Sequence, residues 1–185
     1  MKKFLALLFI FISLIFSNQA FSNDDLIQSL QEGGKIIFIR HAYAPGGGDP
    51  DNFDINDCTT QRNLNDDGIK QSKLIGEFFV KNNIQIDQVL SSEWCRCKDT
   101  AKHAFQNFKT FDALNSFYSP KFAKNKNKQI KRLSKYLKKW RSKKNLILVT
   151  HYVVIMEILS VAANSGEIII VDRSLDNMLS IQIKY

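Results

Sequence analysis

Cysteine, proline and histidine are all scarce in this sequence, with three of each among 185 residues. The cysteines show no Cys-x2-Cys spacing and no two histidines are spaced as zinc ligands, so the pattern does not indicate a zinc site. No acidic cluster suited to another metal ion is present either. Beyond residue 22, no apolar run approaches the about 20 residues that cross a bilayer. The sequence therefore predicts no metal, no other cofactor and no transmembrane segment beyond that point.

The first 22 residues have the pattern of a secretory signal peptide. Lys2 and Lys3 form a positive start, residues 4–16 are apolar, and the small side chains of Ala20 and Ser22 stand where a signal peptidase reads. We expect cleavage after Ser22 and a periplasmic or secreted protein; an uncleaved N-terminal anchor is the alternative. No cysteine lies near this position, so a lipoprotein anchor is not expected. Residues 23–185 contain no repeat and no interdomain linker, which predicts a single domain.

The net charge of +8 is spread very unevenly along the chain. Loss of Lys2 and Lys3 leaves +6, yet residues 121–144 alone contain 12 Lys or Arg and no Asp or Glu, so the remainder carries −6. This pattern favours a solvated helix face whose lysine stems cover apolar surface. The alternative is an electrostatic contact with anionic lipid, lipopolysaccharide or a phosphorylated substrate. Nucleic acid would be attracted by the same charge, but export argues against it as the partner.

Short β-branched runs alternate with helical patterns along the chain. The runs at 35–39, 88–90, 146–150, 167–171 and 179–183 predict strands. Helices are predicted at 24–31, from an Asn65 N-cap to residue 82, at 93–105, around the apolar stripe Ile130, Leu133, Leu137 and Trp140, and at 153–163. The alternation predicts an α/β fold with a mainly parallel sheet. Only residues 172–178 separate the last two strands, so these can form a hairpin that makes one strand antiparallel.

Arginine and histidine side chains follow three of the predicted strands at the point where each strand ends. Arg40 and His41 follow the first strand, Arg96 follows the second and His151 follows the third. Open α/β sheets bind ligands at this edge. Arginine offers forked donors that match phosphate oxygens, a neutral imidazole can attack phosphorus, and a second imidazole can donate to charge that develops in the transition state. The set predicts a pocket for a small phosphorylated substrate.

A glycine-rich segment, residues 44–50, follows His41 almost directly. Consecutive glycines let backbone amides approach an anion closely, and the position beside Arg40 and His41 makes this segment a candidate part of the pocket.

Arg62 is expected to be solvated or ion-paired rather than to reach the pocket, and His103 is assigned no role.

Four segments together resemble the histidine phosphatase superfamily, also called the phosphoglycerate mutase-like family. Residues 38–41 are similar to its Arg-His-Gly strand end, and residues 64–72 to its Leu-Thr-x-x-Gly-x-x-Gln-Ala helix start. Residues 90–101 resemble its Ser-x-x-x-Arg-x-x-x-Thr-Ala segment, and residues 149–151 its second-histidine strand end. The segments occur in the order that the family has, which makes the resemblance specific.

The resemblance implies a three-layer α/β sandwich around the mainly parallel sheet and a metal-independent phosphatase activity. His41 would be the nucleophile that becomes phosphorylated, while Arg40, Arg96 and His151 would bind and stabilise the phosphoryl group. Within the superfamily, the chain looks most like a small exported bacterial branch bearing Arg-His-Ala-x-Ala-Pro-Gly. That branch includes proteins assigned to removing phosphate from lipopolysaccharide core heptose. Phosphoglycerate mutase activity is not expected, because an exported protein would not meet glycolytic intermediates.

The chain departs from the family pattern where a general acid is expected. Tyr152 replaces the aspartate that follows the second histidine in acid phosphatases and phytases, and Ser116 stands where the mutase-type donor follows Leu-Asn. Ala42 replaces the motif glycine, a small-for-small change. The remaining candidates for the acid are Asp49, Asp51, Glu93 and Glu167. The alternative function is a member with weak or no turnover that binds phosphorylated glycans or anionic lipid headgroups.

The three cysteines allow one disulfide in an oxidising compartment. Cys58 can pair with Cys95 or with Cys97, and either bridge would pin the segment after the first strand to the loop that bears Arg96. One thiol is left over in both cases, and the sequence does not choose between the two pairings.

Overall fold

The computed structural model describes residues 23–184, so the predicted signal peptide, residues 1–22, lies outside the described residues. The strands form one sheet and are β1 (Ile36–Arg40), β2 (Ile86–Ser91), β3 (Lys109–Thr110), β4 (Asn145–Thr150), β5 (Glu167–Val171) and β6 (Leu179–Gln182). The helices are α1 (Asn23–Glu32), α2 (Asp66–Lys81), α3 (Cys95–Phe105), α4 (Pro120–Ala123), α5 (Lys126–Lys139) and α6 (Tyr152–Leu159). Within this described part of the chain, no helix has the length and apolar character needed to span a membrane.

The strands lie in the order β3-β2-β4-β1-β5-β6. β1, β2, β3 and β4 are parallel, whereas β5 is antiparallel to β1 and β6 is antiparallel to β5. The hairpin of β5 and β6 forms because residues 172–178 are fewer than the roughly a dozen that a parallel crossover needs. The predicted mainly parallel sheet with one antiparallel strand near the C-terminus is therefore confirmed.

Side chains of the central strands alternate between the two faces of the sheet. Ile37 and Ile39 of β1 pack in a core with residues of α1, α2 and α3. Ile36 and Phe38 pack in a second core with residues of α5 and α6 on the opposite face. Because β1 is buried on both faces, its sequence is continuously apolar rather than alternating. The architecture is the predicted three-layer sandwich.

The bounds of several elements differ from the sequence predictions. α6 ends at Leu159 rather than at residue 163, because Ser160 adopts a left-handed conformation with φ of 58° that ends a helix. α3 begins at Cys95 rather than at residue 93. β3 has two residues and α4 has four, too few to leave a periodic pattern in the sequence.

The sheet order places the carboxyl ends of β1, β2 and β4 side by side, with β4 between the other two. Pairing continues beyond the strands: the amide of His41 donates to the carbonyl of Thr150 at 2.9 Å, and the amide of Ser92 donates to the carbonyl of Val149 at 2.9 Å. The backbone that carries the predicted site residues is thus held by the sheet itself.

A disulfide joins Cys58 to Cys95, whose Cα atoms are 5.7 Å apart. Of the two pairings that the sequence left open, this is the one that forms, and Cys97 is free and buried. The bridge ties the segment after β1 to the first turn of α3, directly beside Arg96.

Candidate active site

A cavity of about 420 Å³ opens at the carboxyl ends of the three central parallel strands, and Arg40, His41, Arg96 and His151 all line it. They come from three places in the fold. Arg40 ends β1 and His41 follows it, Arg96 lies in the first turn of α3, and His151 is the N-cap of α6. The structure therefore brings together the four residues that the sequence predicted to form one pocket.

His41 is held as a neutral imidazole with a defined tautomer. Its Nδ1 lies 2.8 Å from the carbonyl oxygen of Ala42, and a carbonyl can only accept, so Nδ1 carries the proton. Its Nε2 accepts a hydrogen bond from Nε of Arg96 at 3.2 Å. Burial, and after it the positive charge of Arg96, lowers the pKa of His41 well below its ordinary value. Nε2 is therefore unprotonated at neutral pH, and its lone pair accepts the hydrogen bond from Arg96.

His151 lies beside His41 and is a neutral hydrogen-bond donor. The two imidazole rings have centroids 5.5 Å apart, and Nε2 of His151 lies 2.9 Å from Oγ of Ser92. That hydroxyl donates its own proton to Oδ1 of Asn115 at 3.0 Å, so Nε2 of His151 carries the proton in this contact. Burial, then the charge of Arg96, lowers the pKa of His151 well below its ordinary value.

Arg96 is 3% exposed and binds Asp49 as well as His41. Its Nη1 and Nη2 donate to the two carboxylate oxygens of Asp49 at 2.6 and 3.2 Å. Asp49 also accepts from the indole Nε1 of Trp94 at 3.0 Å and from the amide of Arg62 at 3.2 Å. Burial raises the pKa of Asp49, but the hydrogen bonds and charge of Arg96 outweigh burial and leave that pKa below its ordinary value.

The guanidinium of Arg40 has an unpaired hydrogen-bond donor, its Nε, in the described part of the chain. Its Nη1 donates to the carbonyl of Ala163 at 2.8 Å, and its guanidinium lies 5.8 Å from the centre of the Tyr152 ring. Its Nε is buried and has no hydrogen-bond partner among the described residues. A buried unpaired donor on a cation is costly, and an anion in the cavity would satisfy it.

Three arginines and one carboxylate are the charged side chains that line the cavity in the part of the chain that the structure describes: Arg40, Arg62, Arg96 and Asp49. This excess of positive charge suits an anionic ligand. Within residues 23–184, no three His, Cys, Asp or Glu side chains come together as a ligand set for a metal ion. That the chemistry needs no metal stays a prediction.

The four candidates for a general acid lie in different surroundings. Asp49 lines the cavity. Asp51 is exposed on the surface. Oε2 of Glu167 accepts a hydrogen bond from the amide of Asn164 at 2.7 Å. Glu93 lines a neighbouring cavity of about 310 Å³, where its Oε2 accepts from Nδ2 of Asn115 at 2.6 Å. Of the four, only Asp49 contacts Arg96 and lines the same cavity as His41.

Arg62 reaches the pocket, which corrects the sequence prediction. It lines the cavity, donates through Nε to the carbonyl of Gly48 at 2.9 Å, and donates through Nη1 to the carbonyl of Ala44. Its guanidinium therefore braces the glycine-rich segment 44–50 from inside. No sequence signal marks this role, because a lone arginine in a polar stretch is usually solvated.

Other supporting residues lie in the motif segments, where the sequence analysis assigned them no role. Oγ1 of Thr100 accepts from the amide of Ala42 at 2.9 Å and donates to the carbonyl of Arg96 at 2.7 Å, which links the His41 and Arg96 segments. Gly68 is required at the start of α2, since a Cβ there would lie 2.0 Å from the carbonyl oxygen of Tyr43. These contacts explain why the helix-start and arginine segments accompany the histidines.

No protein-family model and no curated protein sequence matches the chain. Solved structures match it in fold. The protein histidine phosphatase SixA complexed with tungstate is 15% identical, with a TM-score of 0.56 over 80% of this chain and 94% of that one. Rv3214 from Mycobacterium tuberculosis is 16% identical, with a TM-score of 0.57 over 81% and 96%, and TTHB049 from Thermus thermophilus is 13% identical, with a TM-score of 0.52 over 75% and 93%.

The first of these structures is named a histidine phosphatase, and the likeness covers most of both chains. The resemblance that the four sequence segments suggested is confirmed at the level of the fold. From residue 23 onward, this chain has the three-layer α/β fold of the histidine phosphatases, the phosphoglycerate mutase-like fold.

Proposed function

We propose that this protein is a phosphatase that hydrolyses phosphate monoesters through a phosphohistidine on His41. The observation that carries the proposal is the state of this residue: Nδ1 is tied to the Ala42 carbonyl, and the unprotonated Nε2 lies beside Arg96 in a cationic cavity. A neutral imidazole with its lone pair on Nε2 is a competent nucleophile for phosphorus. The fold shared with a histidine phosphatase complexed with tungstate, a tetrahedral oxyanion, supports the same interpretation.

The other lining residues act on the charge of the phosphoryl group. Arg40 and Arg96 bind its equatorial oxygens, and the unpaired Nε of Arg40 gains its missing acceptor. His151, whose ring lies beside that of His41, helps to stabilise the charge that develops on the phosphoryl group. Nε2 of His41 attacks phosphorus in line with the leaving oxygen, and water then attacks the phosphohistidine and releases inorganic phosphate.

The test compares His41→Ala with the matched variant His103→Ala, since His103 lies in α3 and does not line the cavity. Release of phosphate from 4-nitrophenyl phosphate is measured, and circular dichroism confirms that each variant folds. The first variant should lose at least about a thousandfold in kcat, because the nucleophile is removed, while the second keeps full activity. Wild-type turnover in His41→Ala would overturn the proposal.

We further propose that the protein is exported and works in the periplasm or outside the cell. The signal-peptide pattern of residues 1–22 supports this, and the Cys58–Cys95 disulfide fits an oxidising compartment. Cell fractionation followed by N-terminal sequencing tests the proposal. A mature protein that begins at Asn23 is expected, and a cytoplasmic protein that keeps Met1 would contradict it.

The proposed substrates are sugar phosphates or phosphorylated lipopolysaccharide. Exposed aromatic rings at the cavity support a ring-shaped leaving group: Tyr118 is 71% exposed and Tyr152 is 38% exposed, and both line it. The neighbouring cavity shares Trp94 and Phe122 with the first, which gives room for a larger leaving group. A phosphate-release screen over sugar phosphates, lipopolysaccharide fragments and phosphoramidates tests this class. Turnover of phosphoramidates alone would contradict it.

The basic segment, residues 121–144, is the proposed contact with anionic lipid or lipopolysaccharide. Leu133 and Leu137 bury one face of α5 against the sheet, while lysines on the other face are exposed. Within the described chain, the recorded ion pairs of this segment are those of Lys126 with Glu157 and Arg132 with Asp112. The other cations of the segment leave a surface of one sign, which attracts an anionic membrane surface.

A second candidate function is binding of a phosphorylated glycan or lipid headgroup without turnover. The observation that favours it is the pairing of Asp49 with Arg96, which keeps that carboxylate ionised and therefore unable to donate a proton while the pair is intact. This function predicts that inorganic phosphate binds, as measured by calorimetry, while the substrate screen gives no phosphate release. Release that depends on His41 rules it out.

A further inference from the structure

The carboxylate of Asp49 occupies an anion site inside the candidate active site. Both of its oxygens are engaged by Nη1 and Nη2 of Arg96, and the indole of Trp94 and the amide of Arg62 complete a set of four donors. Arg96 is also a group that the substrate phosphoryl needs. The carboxylate and the phosphoryl group therefore compete for the same guanidinium.

The segment that carries Asp49 is held by Arg62 at the carbonyls of Ala44 and Gly48, but its glycines are loosely packed between those points. Gly46 and Gly48 have φ values of 85° and 74°, and a Cβ at Gly47 or Gly48 would meet nothing within 4 Å. The side chain of Asp49 is 16% exposed, whereas that of Arg96 is 4% exposed. Arg96 is the more buried side chain of the pair, so Asp49 is the side chain that can move away from the contact.

We propose that Asp49 is the general acid of the reaction. The phosphoryl group of the substrate activates it by displacing its carboxylate from the guanidinium of Arg96. The inference rests on the proposed phosphatase function and adds the proton donor that the sequence could not identify. When the phosphoryl group binds Arg96, Asp49 swings on the glycine segment to the leaving oxygen. Among the described residues that line the cavity, it is the one carboxyl group.

The exchange also changes the proton affinity of Asp49 in the direction that the role requires. Burial raises the pKa of Asp49, while Arg96 and, after it, the Trp94 indole and the Arg62 amide hold that pKa below its ordinary value. Once the phosphoryl group has taken Arg96, burial remains and a new negative charge lies close by, and both favour the protonated carboxyl. Asp49 then takes up a proton from solvent at the moment when a donor is needed.

The reaction has two steps, phosphorylation of His41 and hydrolysis of the phosphohistidine, and Asp49 exchanges one proton in each. In the first step, Nε2 of His41 forms a bond to phosphorus, the bond from phosphorus to the leaving oxygen breaks with its electron pair on oxygen, and Asp49 gives that oxygen its proton. In the second step, water attacks phosphorus and passes a proton to the Asp49 carboxylate, and the bond to Nε2 breaks with its electron pair returning to the imidazole.

The test measures kcat/KM for Asp49→Asn on two substrates, 4-nitrophenyl phosphate and glycerol phosphate. The nitrophenolate ion leaves without help, whereas the alkoxide needs a proton. We expect a loss of about a hundredfold or more on glycerol phosphate and a loss below about tenfold on 4-nitrophenyl phosphate. Inorganic phosphate should inhibit the variant at lower concentration than the wild type, because the competing carboxylate is gone. Asp51→Asn, an exposed residue of the same segment, is the matched control and should match the wild type throughout.

Equal losses on both substrates would overturn the inference and leave Asp49 as a residue that only positions Arg96, and unchanged activity on both would remove any role. If Asp49→Asn does not fold, the wild type decides: its kcat/KM should depend weakly on the basicity of the leaving group, and a steep dependence overturns the inference. Failure of the proposed phosphatase function is recognised separately, as turnover that survives in His41→Ala.

Discussion

Arg96 donates through Nε to Nε2 of His41 across 3.2 Å, so a buried cation faces the lone pair of the candidate nucleophile. Burial and, after it, this contact lower the pKa of His41 and keep the ring unprotonated, because a proton on Nε2 would meet the guanidinium directly. It also places the cation where an attacked phosphoryl group would sit. In the proposed mechanism, a single side chain would therefore both prepare the nucleophile and receive the charge of the phosphoryl group.

Arg96→Lys should lower kcat/KM for 4-nitrophenyl phosphate by about a hundredfold or more, because lysine keeps the charge but has no fork to span His41 and a phosphoryl group. The measurement is steady-state phosphate release. Arg132→Lys, which alters a surface ion pair with Asp112, is the control and should keep wild-type kinetics. Equal kinetics for the two variants would contradict the role given to Arg96.

The free energy of unfolding should fall as the pH drops from 7 towards 5. His41 and His151 have folded-state pKa values well below the ordinary one, so below the unfolded value of about 6.5 the unfolded chain binds more protons than the native chain. Each histidine then contributes a loss of up to about 1.4 kcal/mol per pH unit, and this contribution is absent above pH ~7.

Urea titrations at several pH values measure this slope. The double variant His41→Gln/His151→Gln isolates it, because all other titrating groups are shared with the wild type. The variant should show a shallower fall over the same pH range. A slope as steep as that of the wild type would mean that the two histidines are not buried in the neutral form.

Reduction of the Cys58–Cys95 disulfide should destabilise the fold by about 4 kcal/mol, the entropy of closing a loop of this length in the unfolded chain. Cys58→Ser should lose the same amount, as measured by urea unfolding without reductant. Cys97→Ala is the matched control: its bridge is intact, so its stability should respond to reductant as the wild type does.

The thiol of Cys97 should resist alkylation in the native state, since burial raises its pKa to about 12. Rapid native-state labelling of Cys97 would contradict its burial.

Binding to anionic vesicles should depend on the exposed lysines of α5. Replacement of Lys128, Lys131 and Lys135 by Gln removes three charges from one side of that helix and should weaken binding by about a hundredfold, at about 1 kcal/mol per charge. The matched control replaces three exposed lysines of α2, on the opposite layer of the sandwich: Lys70, Lys73 and Lys81. Vesicle sedimentation measures both, and equal binding by the two triple variants would contradict a specific role for the basic segment.

Local sequence determined the elements that reach the site. Short apolar runs rich in β-branched residues favour strands buried on both faces, and parallel strands end at a common edge, so Arg40, His41 and His151 could be placed at that edge from the sequence. The position of Arg96 followed from the third motif in the same way. These predictions succeeded because each depends on residues that are close in sequence.

The tertiary structure decided what the sequence left open. Asp49 meets Arg96 across 47 positions, and Asp51, two residues away in an equally polar segment, is exposed instead. The choice of Cys95 over Cys97 and the reach of Arg62 into the pocket are of the same kind. In each case several residues had suitable chemistry, and the path of a loop between distant elements selected one. The path of such a loop depends on long-range contacts, which no local pattern in the sequence records.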